Sequence, residues 1–352
     1  YKQACGPPEM QLRTSFRFRR VMTIDVREQL PKLARRLAGE GASVAAAQRL
    51  SGGASMEMWS FSIEGPNGRE DLILRHRAAP FDPETARSVT LATEAALIVA
   101  CGKNGAIVPP VRHVCDDADG LGEAYVMVAV PGETLGRKIV SDARFDAVRG
   151  DLARQCGAAL VPIHATPPPP ELNLRFSDAE GELNRYWESY VASGAQRPIL
   201  ELAFQYLRQR IPPPAPPILL HGDFRNGNIM FHPDQGVAAV LDWELAHVGD
   251  PAEDMGWICT NSWRFGRPDR PVGGFGDYAD LLAGYEAAGG KPIELSRVRF
   301  WQMLGSLRWG VMCLGMYLSW SSGLTNSVER PMIGRRVSET EADLVLLLEE
   351  GL

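Results

Sequence analysis

The chain has 352 residues, of which 45% are apolar and 23% charged, with a net charge of −6. This length suggests two domains or lobes, the composition is that of an ordinary globular protein with room for a large core, and the negative charge argues against nucleic acid as the main partner. The best apolar stretch, Gly310-Val-Met-Cys-Leu-Gly-Met-Tyr-Leu318, is preceded by Arg308 and is too short to cross a bilayer, so it reads as a buried helix.

The charge is unevenly spread. Residues 1–130 carry 16 basic and 15 acidic side chains, and residues 131–352 carry 21 and 28. An acidic second half fits a solvated surface and is compatible with a cationic substrate. The six cysteines form no C-x-x-C pair and none sits near a histidine at ligand spacing. No secretory signal is evident, so free thiols in a reducing cytoplasm are expected. Residues 1–21 hold five basic groups and one acidic group. They read as a flexible tail or an upstream extension, with Met22 a natural-looking beginning.

Along the chain, Val26, Leu30, Leu33 and Leu37 recur at helical spacing and predict a helix over 25–38. Three short strands follow, at 45–50, 56–63 and 71–77. The first two are joined by Ser51-Gly52-Gly53-Ala54-Ser55 and the last two by a Pro66-Asn-Gly68 turn. A helix is expected over 83–101 with Asp82 as its cap. Strands at 111–115 and 124–130 complete a small five-stranded sheet with one helix inserted, and Pro131-Gly132 ends it.

Beyond that point helices dominate, at 145–164, 183–193, 198–210, 252–260, 275–288, 294–320 and 338–350. Pro212–Pro217 is a rigid connector. The expected organisation is therefore α+β: a β-rich lobe over 22–130 and a larger, mainly helical lobe over 131–352.

The most informative stretch lies in the second lobe. Ile218-Leu-Leu-His221-Gly-Asp223-Phe-Arg225-Asn-Gly-Asn228 is followed by Ala238-Ala-Val-Leu-Asp242-Trp-Glu244. Two apolar runs each deliver an aspartate, and read together they suggest a catalytic hairpin. Phosphoryl transfer needs one carboxylate to receive an acceptor hydroxyl, and an amide with a second carboxylate to hold magnesium. Each half of the pattern also has a plain reading, since aspartate commonly caps turns and asparagine takes left-handed ones.

This order of elements and motifs resembles the aminoglycoside phosphotransferase family, whose members share the two-lobed protein-kinase-like fold. The resemblance covers most of residues 40–330 and is strongest at His221–Asn228 with Asp242. It implies an ATP-dependent phosphotransferase (GTP is the alternative nucleotide) acting with Mg²⁺ on a small-molecule alcohol. Asp223 is implied as the catalytic aspartate and Asn228 with Asp242 as magnesium ligands. His221 reads as structural. Arg225 stands where protein kinases carry a lysine; it either braces the γ-phosphate or pairs with Asp223 or Glu244. Asp250 and Asp254 read as helix-start residues.

In the first lobe the resemblance places Ser51, Gly52, Gly53, Ala54 and Ser55 over the triphosphate. Arg75 takes the place of the usual phosphate-anchoring lysine and Glu94 is its partner, with Arg77 the other candidate. Met127, Val128 and Val130 lie where the adenine would bind. Trp263, Arg264 and Phe265 are candidates for the acceptor site. Relatives act on sugars, choline, amino alcohols and hydroxyacyl thioesters, and the Arg75 and Asp-Trp-Glu departures look more like the branch near acyl-CoA metabolism. A nucleotide-binding pseudoenzyme is the rival reading, because Arg75 breaks an expected position. The oligomeric state has no signature in the sequence.

Overall fold

The computed structural model describes residues 24–50, 56–78 and 88–352. The amino-terminal tail, the Ser51–Ser55 loop and the expected cap Asp82 lie outside the described residues. Helix α1 (Val26–Ala38) opens on Asp25, whose carboxylate accepts from the Arg27 N–H at 3.0 Å. It ends at Gly39, which takes a φ of 97°.

Strands β1 (Ser43–Leu50), β2 (Met56–Gly65) and β3 (Gly68–Arg77) form a meander. After α2 (Leu91–Lys103), strands β4 (Val111–Val114) and β5 (Ala124–Val128) complete an antiparallel sheet in the order β1-β2-β3-β5-β4. The two-residue period of a strand sorts its side chains. Leu72, Leu74 and Val126 enter an upper core with Val26, Leu30 and Leu33 of α1. Ile73, Arg75, Tyr125 and Met127 line the opposite side, facing the second lobe.

Helix α2 starts later than the sequence predicts. Thr90, not a residue near 82, caps it by accepting from the Thr93 N–H at 3.1 Å. Just before it, the Val89 N–H bonds to the Glu244 carbonyl at 2.8 Å and ties this segment to the helical lobe. Buried Leu91, Ala95, Leu97, Ile98 and Cys101 of α2 belong to the large core of the helical lobe, so this helix ties the lobes together.

The helical lobe begins with α3 (Gly136–Ser141), which the sequence reading missed. The helix expected over 145–164 is broken into α4 (Asp146–Arg149) and α5 (Leu152–His164), with Gly150 between them. Helices α6 (Ala179–Ala192) and α7 (Pro198–Arg208) precede four short strands: β6 (Ile218–Leu220), β7 (Ile229–His232), β8 (Gly236–Val240) and β9 (His247–Gly249). The aspartate-bearing strands are not partners in one hairpin: β6 pairs with β9, and β8 pairs with β7. The chain closes with α8 (Ala252–Cys259), α9 (Tyr278–Ala287), α10 (Leu295–Ser321), α11 (Glu329–Gly334) and α12 (Val337–Glu350). Helix α9 begins three residues later than expected because residues 272–276 turn back in a small bridge. Helix α10 is buried along most of its first twenty residues, and no helix among the described residues is long and apolar enough to cross a membrane.

Candidate active site

A cleft of about 390 Å³ separates the lobes. Its roof is Ile73, Arg75, Tyr125 and Met127; Val128, Ala129 and Val130 form its back; Asn228, Met230, Leu241 and Asp242 are its floor. The apolar floor and roof suit a flat ring, and the polar end carries the charges.

The loop leaving β6 is shaped by glycine and held by buried polar groups. Gly222 has a φ of 80°, and a Cβ there would lie 2.2 Å from the Leu245 carbonyl oxygen, so no other residue fits. Fully buried Asp254 on α8 accepts the backbone N–H groups of His221 at 2.9 Å and Gly222 at 2.8 Å, and contacts His164 at 3.2 Å. Burial opposes its charge, but the hydrogen bond and charge of His164 prevail and hold the carboxyl below the ordinary aspartate range. Asp254 is therefore more than a first-turn residue: it fixes the backbone that presents Asp223. His221 is structural as expected. Its Nδ1 accepts the Asp223 N–H at 3.2 Å, which leaves Nε2 to donate to the Leu241 carbonyl at 2.9 Å. That bond ties the loop carrying Asp223 to the one carrying Asp242.

Asp223 meets three side chains. Its Oδ1 accepts from Arg225 Nε at 3.0 Å and from the Trp257 indole; its Oδ2 accepts from Asn228 Nδ2 at 2.6 Å. Asn228 also donates to the Asp223 carbonyl at 3.0 Å. With its amino group so used, its amide oxygen is the atom left for a cation. Arg225 lies over the Trp263 ring at 4.5 Å and donates to the Asn226 carbonyl at 3.0 Å, so of its two anticipated arrangements the pairing with Asp223 is present.

Asp242 follows β8 with a φ of 63°. A non-glycine residue in this left-handed region is uncommon and is found where the surroundings enforce it. Here the Trp243 N–H donates to Glu94 at 3.0 Å and the Leu241 N–H to the Asn228 carbonyl at 2.7 Å. Arg75 closes the polar end. Its Nε is 3.1 Å from Glu94, and one terminal nitrogen is 2.5 Å from Asp242 and 3.2 Å from Glu244. Arg77 is spent elsewhere, 2.9 Å from Glu123 and bonded to the Val89 carbonyl at 3.2 Å.

Three carboxylates thus share one guanidinium. Burial, partly offset by Arg75, pushes the Glu94 carboxyl up to about 7. Burial and then Asp242 push Glu244 up to about 7. Asn228 lines the same cleft as Asp242, and an amide oxygen with a carboxylate is the hard-donor type that magnesium takes.

Sequence reasoning missed Asp254, Trp257 and Arg308. Arg308 donates to the Gly222 carbonyl at 3.2 Å, pairs with Glu253 at 3.3 Å, and stacks over Trp257 at 4.2 Å. The only available signal was the three-residue spacing of Asp254 and Trp257, which puts both on one face of α8. Of the proposed acceptor residues, Trp263 packs beneath Arg225. Arg264 is buried and donates to the carbonyls of Cys259 and Pro268. Phe265 packs against Gly136.

A twisted sheet closed over a helical lobe, with its carboxylates at the polar end of the gap, is the kinase-like phosphotransferase fold. A Ralstonia eutropha JMP134 protein assigned by name to the aminoglycoside phosphotransferases superposes with a TM-score of 0.66 at 22% identity, over 92% of this chain and 98% of that one. Spectinomycin phosphotransferase, solved with ADP and spectinomycin, superposes at 0.60 with 14% identity over 90% and 98%. Residues 46–290 match the model of the phosphotransferase enzyme family, and the chain belongs to that family. In sequence it is also 25% identical over 253 residues to IBR3 of Arabidopsis thaliana, named a probable acyl-CoA dehydrogenase. That match takes in 63% of this chain and 30% of the relative, so the chain spans less than a third of that protein's length.

Proposed function

We propose that this chain transfers the γ-phosphate of ATP, with GTP as the alternative nucleotide, to a hydroxyl of a small molecule in a magnesium-dependent reaction. The observation that supports this reading is that Asn228, which lines the interlobe cleft together with Asp242, also donates to Asp223 at 2.6 Å. Asn228 and Asp242 would hold the ion, which when bound supplies charge neutralisation to the phosphates.

Arg75 lines the cleft and would exchange Asp242 and Glu244 for phosphate oxygens while Glu94 keeps it in place. Asp223 orients the acceptor hydroxyl in line with the γ-phosphorus. The oxygen–phosphorus bond to the acceptor forms as the bond to the nucleoside diphosphate breaks, and the hydroxyl proton passes late to Asp223. Arg225, beside Asp223, braces the charge that builds on the transferred group.

Away from the nucleotide cleft, Arg225 and Trp257 contact the Asp223 carboxylate, and Trp263 packs beneath Arg225. A partly exposed cation beside Asp223 suits a neutral or anionic acceptor better than a polycation. The acyl-CoA dehydrogenase name of the plant relative points the same way, so a hydroxyacyl thioester is the favoured acceptor class. A coupled ADP-release screen across hydroxyacyl-CoA esters, choline and aminoglycosides tests this. Turnover at least tenfold faster on a hydroxyacyl-CoA than on any aminoglycoside is expected. Preference for the aminoglycosides would overturn the acceptor class, and nucleotide binding without turnover on any alcohol would favour the pseudoenzyme.

A further inference from the structure

A carboxylate oxygen offers two in-plane lone pairs. Asp223 Oδ1 already receives two donors, Arg225 Nε and Trp257 Nε1, whereas Oδ2 receives one, from Asn228. Oδ1 is therefore filled, and Oδ2 has one place left. We infer that Trp257 is a positioning residue whose indole N–H closes Oδ1, so that the acceptor hydroxyl is received by Oδ2, on the side of Asn228. This rests on the phosphotransfer reading of Asp223 and adds which oxygen works and what selects it.

The indole is held for that task from several sides. Trp257 is buried on α8, with the Arg308 guanidinium 4.2 Å above its ring and the Trp263 ring edge-on at 5.3 Å. A Cβ at Gly305 would come within 3.1 Å of Trp257 Cε3 and 2.4 Å of Thr260 Oγ1, so α10 approaches only because that position is bare. Arg225 is the more exposed of the two donors and reaches Asp223 from a neighbouring position on the same loop. Trp257, fixed by a separate helix, is the donor that holds the carboxylate's rotation while Arg225 keeps its Nε on Oδ1 and offers a terminal nitrogen to phosphate.

The selection operates in the chemical step. The acceptor O–H donates to Oδ2, the acceptor oxygen is thereby placed on the metal-ligand side of Asp223, and the proton ends on Oδ2 as the new phosphate ester forms. With the N–H lost, Oδ1 competes for the hydroxyl and part of the bound acceptor points away from the γ-phosphate. Binding of nucleotide is untouched, because Trp257 does not line the cleft.

The test is steady-state hydrolysis of Mg·ATP, with water as the acceptor and ADP release as the readout, in wild type, Trp257→Phe, Asp223→Asn and the double variant. Trp257→Phe is expected to lower kcat about tenfold, with KM for ATP within about twofold of wild type. In the Asp223→Asn background the same change is expected to have no further effect, because the oxygen it selects is no longer a carboxylate's. Should Trp257→Phe loosen the helix packing, replacing Trp257 by 3-benzothienylalanine keeps the bicyclic shape, removes the N–H and is expected to give the same loss. Wild-type kcat in either of these single variants, or an equal loss in both backgrounds, would overturn the inference. A fully active Asp223→Asn protein would instead overturn the reading of Asp223 itself.

Discussion

Asp223→Asn is expected to lower kcat by about three orders of magnitude while KM for ATP stays within about twofold, since positioned acid–base groups contribute about 10²–10⁴-fold. The side chains are nearly the same size, so packing is preserved. Two donors, Arg225 and Trp257, face one oxygen of the native carboxylate, and they force the new amide to turn its oxygen toward them. Its amino group then stands at the Oδ2 position, where it repels the Asn228 amino group and the incoming hydroxyl alike. The variant loses the proton acceptor and presents a donor in its place. Initial rates of ADP release against ATP concentration check this, and a rate within tenfold of wild type would remove Asp223 from the chemistry.

The second large effect is expected at Arg75. Arg75→Ala should cost about 3–5 kcal/mol of stability, because removing one member of a buried ion pair leaves the other uncompensated. Arg75 is nearly buried, and Glu94 fully so, at 3.1 Å. Glu94, Asp242 and Glu244 would then face one another with no cation between them.

The penalty should depend on pH. Glu94 and Glu244 already titrate at about 7 in the folded chain, above the ordinary 4.5. A carboxyl with a raised folded value takes up a proton more readily folded than unfolded, so its contribution to stability falls as pH rises from about 4.5 to about 7. Without Arg75 both carboxyls rise further, and the melting temperature of the variant should fall more at pH 8 than at pH 5. Thermal melts of both proteins at the two pH values check this; an equal loss at each would show that the cluster does not carry the charge ascribed to it. Nucleotide affinity should fall with it, since Arg75 is the cation on the cleft's roof.

Much of this arrangement was legible in the sequence. The resemblance assigned Arg75 and Glu94 to one another, and the structure sets them 3.1 Å apart, with Arg75 on the face of β3 opposite Leu72 and Leu74. The His221–Asn228 stretch and Asp242 stand out in the sequence by their spacing after apolar runs, and their roles follow from the resemblance. Strand partnership was not legible: β6 and β8 are both short apolar runs, and nothing local says that β6 pairs with β9. The start of α2 was misplaced because its upstream boundary depends on a tertiary bond from Val89 to Glu244. Asp254 and Trp257 were passed over for a related reason. A buried aspartate that holds two backbone N–H groups of a distant loop looks, in sequence, like any acidic residue in a first helical turn. An indole that donates to a carboxylate looks like core.

A crystal structure of the chain with Mg²⁺ and a non-hydrolysable ATP analogue is the most direct test. The account predicts an ion about 2.1 Å from the Asn228 amide oxygen and from an Asp242 carboxylate oxygen, with the γ-phosphate facing Asp223 and Arg75 turned toward the phosphates. A nucleotide bound with its phosphates away from Asp242, or an ion that touches neither Asn228 nor Asp242, would contradict it.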